Sequence, residues 1–311
     1  MNNEQSTQSA QRAPGPATGP RRRFLAGSMG LAASLAALSA RRAARAQATA
    51  AATDPAILNF ALNLEYLEAE YYTYAVTGAG IAAQGVGING MGTAGPTSIR
   101  SNPKVPFQTP IIRQFANELA IHERLHVQDI RALLGTLGSP PVAKPAVDLL
   151  NSFNRAAQLA GLGSNFDPFL NETNFLIGSY IFEDVGVSAY LGAAPLIRNK
   201  DVLNYAAGIY AVEAYHSGTI RTLLAQMGQG AVTEAISGVR KAASGVNDDY
   251  GVGDAAMDSA PNSGRSSVVL SNSAGAAFAR TTEQVLRVVY LSTATVAMGG
   301  FFPRGVNGTI R

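Results

Sequence analysis

The sequence predicts an all-α fold: a four-helix bundle with one long crossover, an extra C-terminal helix and Gly-rich insertions. Three observations predict it. No convincing run of alternating strand-type residues interrupts the helix signals. Four long segments carry apolar stripes at helical spacing and are bounded by helix start and stop residues. Two segments ninety residues apart are one pattern written twice, Glu123-Arg-Leu-His126-Val-Gln-Asp-Ile130-Arg131 and Glu213-Ala-Tyr-His216-Ser-Gly-Thr-Ile220-Arg221, each ending in Gly, at Gly138 and Gly228.

The first helix should run from Asp54, with Pro55 at its first position, to Val76. A Gly-rich stretch from Gly78 to Pro103 follows, with a turn signal at Asn89-Gly90 and no period of its own. The second helix should start near Pro110 and stop at Leu137-Gly138, because Pro140-Pro141 forbid continuation. The link from Ser139 to Pro168 is long for a hairpin and holds one short helical pattern, Ala146 to Leu159. It is the expected crossover between two helical hairpins. The third helix should span Pro168 to Leu191 and the fourth Lys200 to Met227. The Gly/Ser/Asp-rich region from about 229 to 275 reads as irregular with one short helix. A last helix, Ala276 to Met298, should lead into a Gly-rich tail ending near Gly308.

Residues 1–48 read as an export signal rather than fold, with the folded domain at 54–308. Residues 1–20 are polar and Pro/Gly-rich, a composition that does not specify structure. Arg21-Arg22-Arg23-Phe24-Leu25 then precedes an apolar stretch from Ala26 to Leu38. Ala44-Arg45-Ala46 and Ala46-Gln47-Ala48 are candidate cleavage sites. The paired arginines resemble a twin-arginine signal, which implies a periplasmic or extracellular protein. The apolar stretch is shorter than the roughly 20 residues needed to cross a bilayer, so no span is expected in the mature protein.

Seven of the 24 basic residues and one of the 21 acids precede residue 47, which leaves 17 basic and 20 acidic side chains. The basic balance therefore belongs to the signal, and no nucleic-acid role is expected. Cysteine is absent, so a transition metal would have to be held by carboxylate and imidazole, a donor set suited to iron, manganese or zinc.

Each duplicated frame offers such donors. Residues three apart share a helix face, so Glu123 with His126 and Glu213 with His216 are candidate metal-ligand pairs. At about 100° per residue, Glu65 sits amid Leu58, Ala61, Leu62, Ala69, Tyr72 and Val76, a stripe that should face the core. Glu183 sits likewise amid Leu176, Ser179, Tyr180, Gly186, Val187 and Tyr190. Tyr72 and Tyr190 each follow the proposed ligand by seven residues. Glu68, about 60° from Glu65, reads as a rival or supporting carboxylate, whereas Glu70, about 140° away among Asn59 and Asn63, reads as solvated. His122 lies about 40° from His126 and reads either as a satisfied histidine or as one hydrogen-bonded near the site. Asp129 reads either as an orienting partner for an imidazole or as a surface acid.

Energetics sharpen the expectation. An ionised Glu in an apolar helix interface costs several kcal/mol, on the order of 2–7, unless it is paired or neutralised. Glu65, Glu123, Glu183 and Glu213 would repel one another, and no Lys or Arg occupies the centre of those stripes. Two divalent cations would offset the four carboxylates charge for charge, with two imidazoles completing the coordination.

These residues resemble the ferritin-like superfamily of bacterioferritin, rubrerythrin and manganese catalase. Leu62-Asn63-Leu64-Glu65 with Tyr72 resembles the first-helix motif of bacterioferritins. The two Glu-x-x-His frames resemble its second- and fourth-helix motifs, and Glu183 the third-helix Glu. Residues 58–72, Thr281 to Tyr290 and the Gly299 to Gly308 tail resemble an exported ferritin-like group that includes plant desiccation-related proteins. The resemblance implies a ferritin-like bundle holding two metal ions, iron or manganese. Its partners would be a metal ion or a small-molecule oxidant, in protective oxygen, peroxide or iron redox chemistry. The Gly-rich insertions argue for a monomer or homodimer over a ferritin-type shell, and rubrerythrin's cysteines are missing. A non-catalytic, desiccation-associated structural or binding role is the second reading.

Overall fold

The computed structural model describes residues 53–253 and 268–311, so the candidate export signal lies outside the described residues. Helix α1 spans Asp54–Thr77, capped by Thr53 and Pro55 at its start and by Gly78 at its end. Gly78 has φ +83°, a left-handed conformation that returns its N–H to Tyr74 and that glycine adopts without steric cost. Helices α2 (Pro110–Thr136), α3 (Asn151–Leu159), α4 (Glu172–Ala193), α5 (Lys200–Gln226), α6 (Gly230–Ser244) and α7 (Thr282–Val289) follow.

Helix α1 packs along α2, and α4 along α5, so the two expected hairpins are present with the 137–171 link between them. The apolar interior falls into two clusters. On α2, residues Ile112 to Ala120 join one cluster and Val127 to Leu134 the other, with Glu123 and His126 at the junction. On α5 the order is reversed: Val202, Ala206 and Ile209 join the second cluster before Glu213, and Ile220 and Leu224 the first after His216. A polar layer thus crosses the bundle at mid-height.

Several sequence expectations need correction. The last helix is Thr282–Val289, not Ala276–Met298. A capping box between Thr281 and Gln284 fixes its start, and Leu291 at φ +53° ends it. The β-branched Thr293, Thr295 and Val296 beyond it are poor helix formers. The region after 229 is less irregular than expected, since α6 has 15 residues. The third helix starts at Glu172 rather than Pro168, where Asn171 caps it by accepting from the Asn174 N–H at 2.8 Å. Short strands are also present: β1 (Thr97–Ser98) pairs in parallel with β2 (Val147–Asp148). The pairing stitches the Gly-rich insertion to the crossover, so the expected helical start at Ala146 is extended and α3 begins at Asn151.

That stitching explains the largest departure. Glu70, Asn59 and Asn63, assigned to solvent by helical geometry, are buried. Segments from the insertion, the crossover and the C-terminal tail lie over that face of α1. Asn59 accepts from the Val142 N–H at 2.7 Å, and Asn63 exchanges two 2.9 Å bonds with the backbone of Asn307. Glu70 accepts from the Ile81 N–H and lies 3.6 Å from the Lys144 ammonium.

The tail also carries Phe301, fully buried with ring centroids 5.1 Å from Phe153 and 4.9 Å from Phe182. Replacing it with alanine should lower unfolding free energy by about 3–5 kcal/mol, read from urea denaturation at constant m-value. A loss under about 1 kcal/mol would mean that the tail is not part of the core.

Candidate metal centre

Each long helix delivers its predicted residues to one place: Glu65 from α1, Glu123 and His126 from α2, Glu183 from α4, and Glu213 and His216 from α5. All six are buried. They form two overlapping sets, Glu65-Glu123-His126-Glu213 and Glu123-Glu183-Glu213-His216, each with ligand atoms within 4.8 Å of one another. Glu123 and Glu213 belong to both sets. The two imidazole centroids are 6.4 Å apart.

His126 Nδ1 lies 3.2 Å from Glu65 Oε2, 3.3 Å from Glu123 Oε2 and 3.6 Å from Glu213 Oε1. His216 Nδ1 lies 3.4 Å from Glu123 Oε1 and 3.3 Å from Glu183 Oε2. In the second set these approaches lack hydrogen-bond geometry. Among the described residues, Glu123 Oε1, Glu183 Oε2, both Glu213 oxygens and His216 Nδ1 are buried with no hydrogen-bond partner. Buried polar atoms left this way are rare because each costs about 1–3 kcal/mol. Lone pairs that crowd together without bonding one another fit a cation between them, and carboxylate with imidazole is the donor set of iron and manganese.

The electrostatics agree. Burial pushes the Glu123 and Glu213 carboxyls well above the ordinary range, and the neighbouring glutamates add to it. Burial works the same way on Glu65, but His126 beside it holds its carboxyl below the ordinary value. Burial would lower His126, yet Glu65 and the other carboxylates push it up to about 9.

The tyrosines reveal a reciprocal support. Tyr72 on α1 donates to Glu183 Oε1 on α4 at 2.5 Å, and Tyr190 on α4 donates to Glu65 Oε1 on α1. Antiparallel packing puts the plus-seven residue of each helix beside the ligand of the other. Burial raises both phenols well above their usual value, so both remain donors. Glu68 is buried beside the centre without a hydrogen bond, outside both sets, and burial with Glu183 and Glu65 pushes its carboxyl well up. His122 Nδ1 is 2.9 Å from His216 Nε2. Asp129 is exposed and lies beside Tyr205, with no bond to His126 among the described residues; it stands about 120° around α2 from Glu123, at the edge of the ligand face.

Sequence reasoning missed two features. Gly186 is required by close approach, since a Cβ there would stand 2.3 Å from Glu213 Oε2. Its signal was a glycine inside a helix, three residues after Glu183, where it costs about 1 kcal/mol against alanine. The second is a buried ionic cluster behind the centre. Asp184 accepts from Ser217 at 2.5 Å, from Arg221 at 2.7 Å and from Arg240 at 2.8 Å. Asp249 accepts two bonds from Arg240 and one from Arg280. Asp184 and Ser217 directly follow Glu183 and His216, so each ligand's chain neighbour anchors the next layer.

Helices meeting around two Glu-x-x-His pairs and two further glutamates define a carboxylate–histidine bundle of the ferritin-like class, with a buried cluster resembling a dimetal site. The chain belongs to the Ferritin-like domain family, whose model matches residues 53–226, from the cap of α1 to the end of α5. It is 31% identical over 176 residues to the Desiccation-related protein PCC13-62 of Craterostigma plantagineum, covering 55% of this chain and 53% of that protein. The match thus spans about half the relative's length. It is 29% identical over 271 residues to the Ferritin-like catalase Nec2 of Nesocodon mauritianus, covering 82% of this chain and 83% of that protein. No solved structure gives a significant match. Among the described residues, no helix is long and apolar enough to cross a membrane.

The raised groups fix a pH dependence. A carboxyl whose value is higher in the fold than in the unfolded chain binds protons more tightly when folded, so stability falls as pH rises. His126 acts in the same sense: its contribution is present below 6.5 and lost as pH rises through about 9. Glu65 acts oppositely, but only below its ordinary 4.5. The metal-free protein should therefore melt at steadily lower temperature from about pH 5 to pH 9. Saturating Mn(II) should reverse the slope, since cations need the deprotonated donors. Calorimetric melts at both limits check this; a metal-free curve that rises with pH would contradict it.

Proposed function

We propose that the protein is an exported dinuclear metalloprotein that removes peroxide in catalase-like chemistry, with iron or manganese as the bound metal. The observation that carries the reading is the set of buried, unpartnered carboxylate and imidazole atoms converging from all four long helices. Glu65, Glu123, His126 and Glu213 would hold one ion, and Glu123, Glu183, Glu213 and His216 the other. Two such ions supply a two-electron redox couple, which disproportionation of two peroxide molecules to water and dioxygen requires. The protein's part is orientation and exclusion. Tyr72 and Tyr190 fix Glu183 and Glu65, while the apolar clusters above and below the polar layer keep bulk water out. The similarity to a protein named a ferritin-like catalase supports peroxide as the substrate. Export rests on the Arg21-Arg22-Arg23-Phe24-Leu25 segment, and a reporter fused behind residues 1–48 checks it.

Protein purified from the exporting cell should hold close to two iron or manganese ions per chain by elemental analysis and evolve dioxygen from hydrogen peroxide. Glu213→Ala should lower that rate by on the order of 100-fold or more, since even a partner of a ligand contributes about 10–100-fold. Metal below about 0.2 per chain after supply of both metals would overturn the proposal. The similarity to a desiccation-related protein favours a second reading, a non-catalytic bundle stapled by metal. It prevails if the metal-loaded protein has no peroxide turnover and Glu213→Ala loses only melting temperature.

A further inference from the structure

The rings of His122 and His216 lie nearly coplanar and meet edge to edge, with centroids 5.2 Å apart and planes 11° from parallel. His122 Nδ1 stands 2.9 Å from His216 Nε2. The other nitrogen of His216, Nδ1, faces Glu123 Oε1 and Glu183 Oε2. A neutral imidazole carries one N–H and one lone pair, and only the lone pair can bind a cation. Because Nδ1 is on the carboxylate side, the proton belongs on Nε2, and His122 Nδ1 is its acceptor. His122 is half-buried on α2, and with Nδ1 as acceptor its own proton is on Nε2.

The other imidazole is held differently. Among the described residues no group hydrogen-bonds His126 Nε2, while its Nδ1 is bonded to Glu65 and Glu123. Both Glu65 oxygens have partners, one in Tyr190 and one in His126. Of the residues that belong to one set only, Glu183 and His216 keep an unpartnered atom, whereas Glu65 and His126 are bonded to each other; Glu123 and Glu213 are shared. The two halves, alike in donor type, are therefore unlike in readiness.

We infer that His122 is a positioning residue: it accepts the Nε2–H of His216, commits Nδ1 to a metal ion, and makes the His216 position the tighter of the two. A hydrogen bond at the non-binding nitrogen fixes ring orientation and makes the binding nitrogen more basic. The inference rests on the dinuclear reading above.

Calorimetric titration of the purified protein with Mn(II) tests it without reference to turnover. The parent should bind two ions with distinct affinities. His122→Leu should weaken the tighter by about 10–100-fold and leave the weaker unchanged. His122→Asn, whose Oδ1 can stand where Nδ1 stood, should keep both within a few-fold. Co(II)-loaded protein gives a second readout by NMR. A shifted imidazole N–H resonance protected from solvent exchange should be present in the parent and in His122→Asn, and lost in His122→Leu. Unchanged affinities in His122→Leu, or equal losses in both variants, would overturn the inference, as would absence of that resonance from the parent even if the leucine variant does not fold. A parent that takes up neither metal defeats the dinuclear reading itself, a result distinct from one that binds two ions indifferent to His122.

Discussion

A layer of carboxylates crosses this bundle where a helical protein would ordinarily place leucine. Among the described residues, the ion-pair partners of Glu65, Glu123, Glu183 and Glu213 are the two imidazoles alone. Guanidinium groups are near at hand, in Arg221, Arg240 and Arg280, yet they are bonded to Asp184 and Asp249. The fold thus separates two kinds of buried charge. In one layer the carboxylates are paired within the protein, with short bonds and bidentate geometry. The other is left without a fixed cation, a state that protons or metal ions must complete. A metal bound there would be coupled to folding by that choice.

The internal duplication shows how the layer is built. The repeated frame holds an Ile-Arg pair as well as the Glu-x-x-His, and the arginines turn away from the centre. Arg131 on α2 bonds the Tyr66 hydroxyl of α1 at 2.6 Å, and Arg221 on α5 bonds the Tyr180 hydroxyl of α4 at 3.1 Å. Each hairpin therefore closes on itself through Arg and Tyr, while Tyr72 and Tyr190 tie one hairpin to the other. Ligand positions are over-determined from both sides, as a centre placed to within a fraction of an ångström requires.

How much of this could be read from the sequence follows from the range of the forces involved. The four long helices were legible because caps, prolines and periodic stripes act within a few turns. Glu65 and Glu183 were legible because an ionisable residue in mid-stripe conflicts with its neighbours. Glu70 was misread for the complementary reason. Helical geometry gives the direction of a side chain but not what lies over it, and the Gly-rich insertion that covers α1 has no period to announce its path. The two-residue strands are too short to alternate. Asp184 was invisible because its arginine partners come from α5 and α6, which only tertiary structure brings together.

That cluster bears on why the chain continues past the family match, which ends with α5. Helix α4 is buried on nearly every face, including the side turned away from the glutamates. A bare four-helix bundle would expose that side to water; here α6, Asp249 and Arg280 lie against it. Burial there requires polar groups to be matched, and Asp184, Ser188 and Tyr180 are matched by Arg240, Arg280 and Ser237. Asp184 and Ser217 are covalent neighbours of Glu183 and His216, so rigidity in the outer layer is transmitted to one half of the centre through single peptide units. The insertions and the C-terminal segment are therefore part of how the site is held, rather than additions to a bundle that would hold it alone.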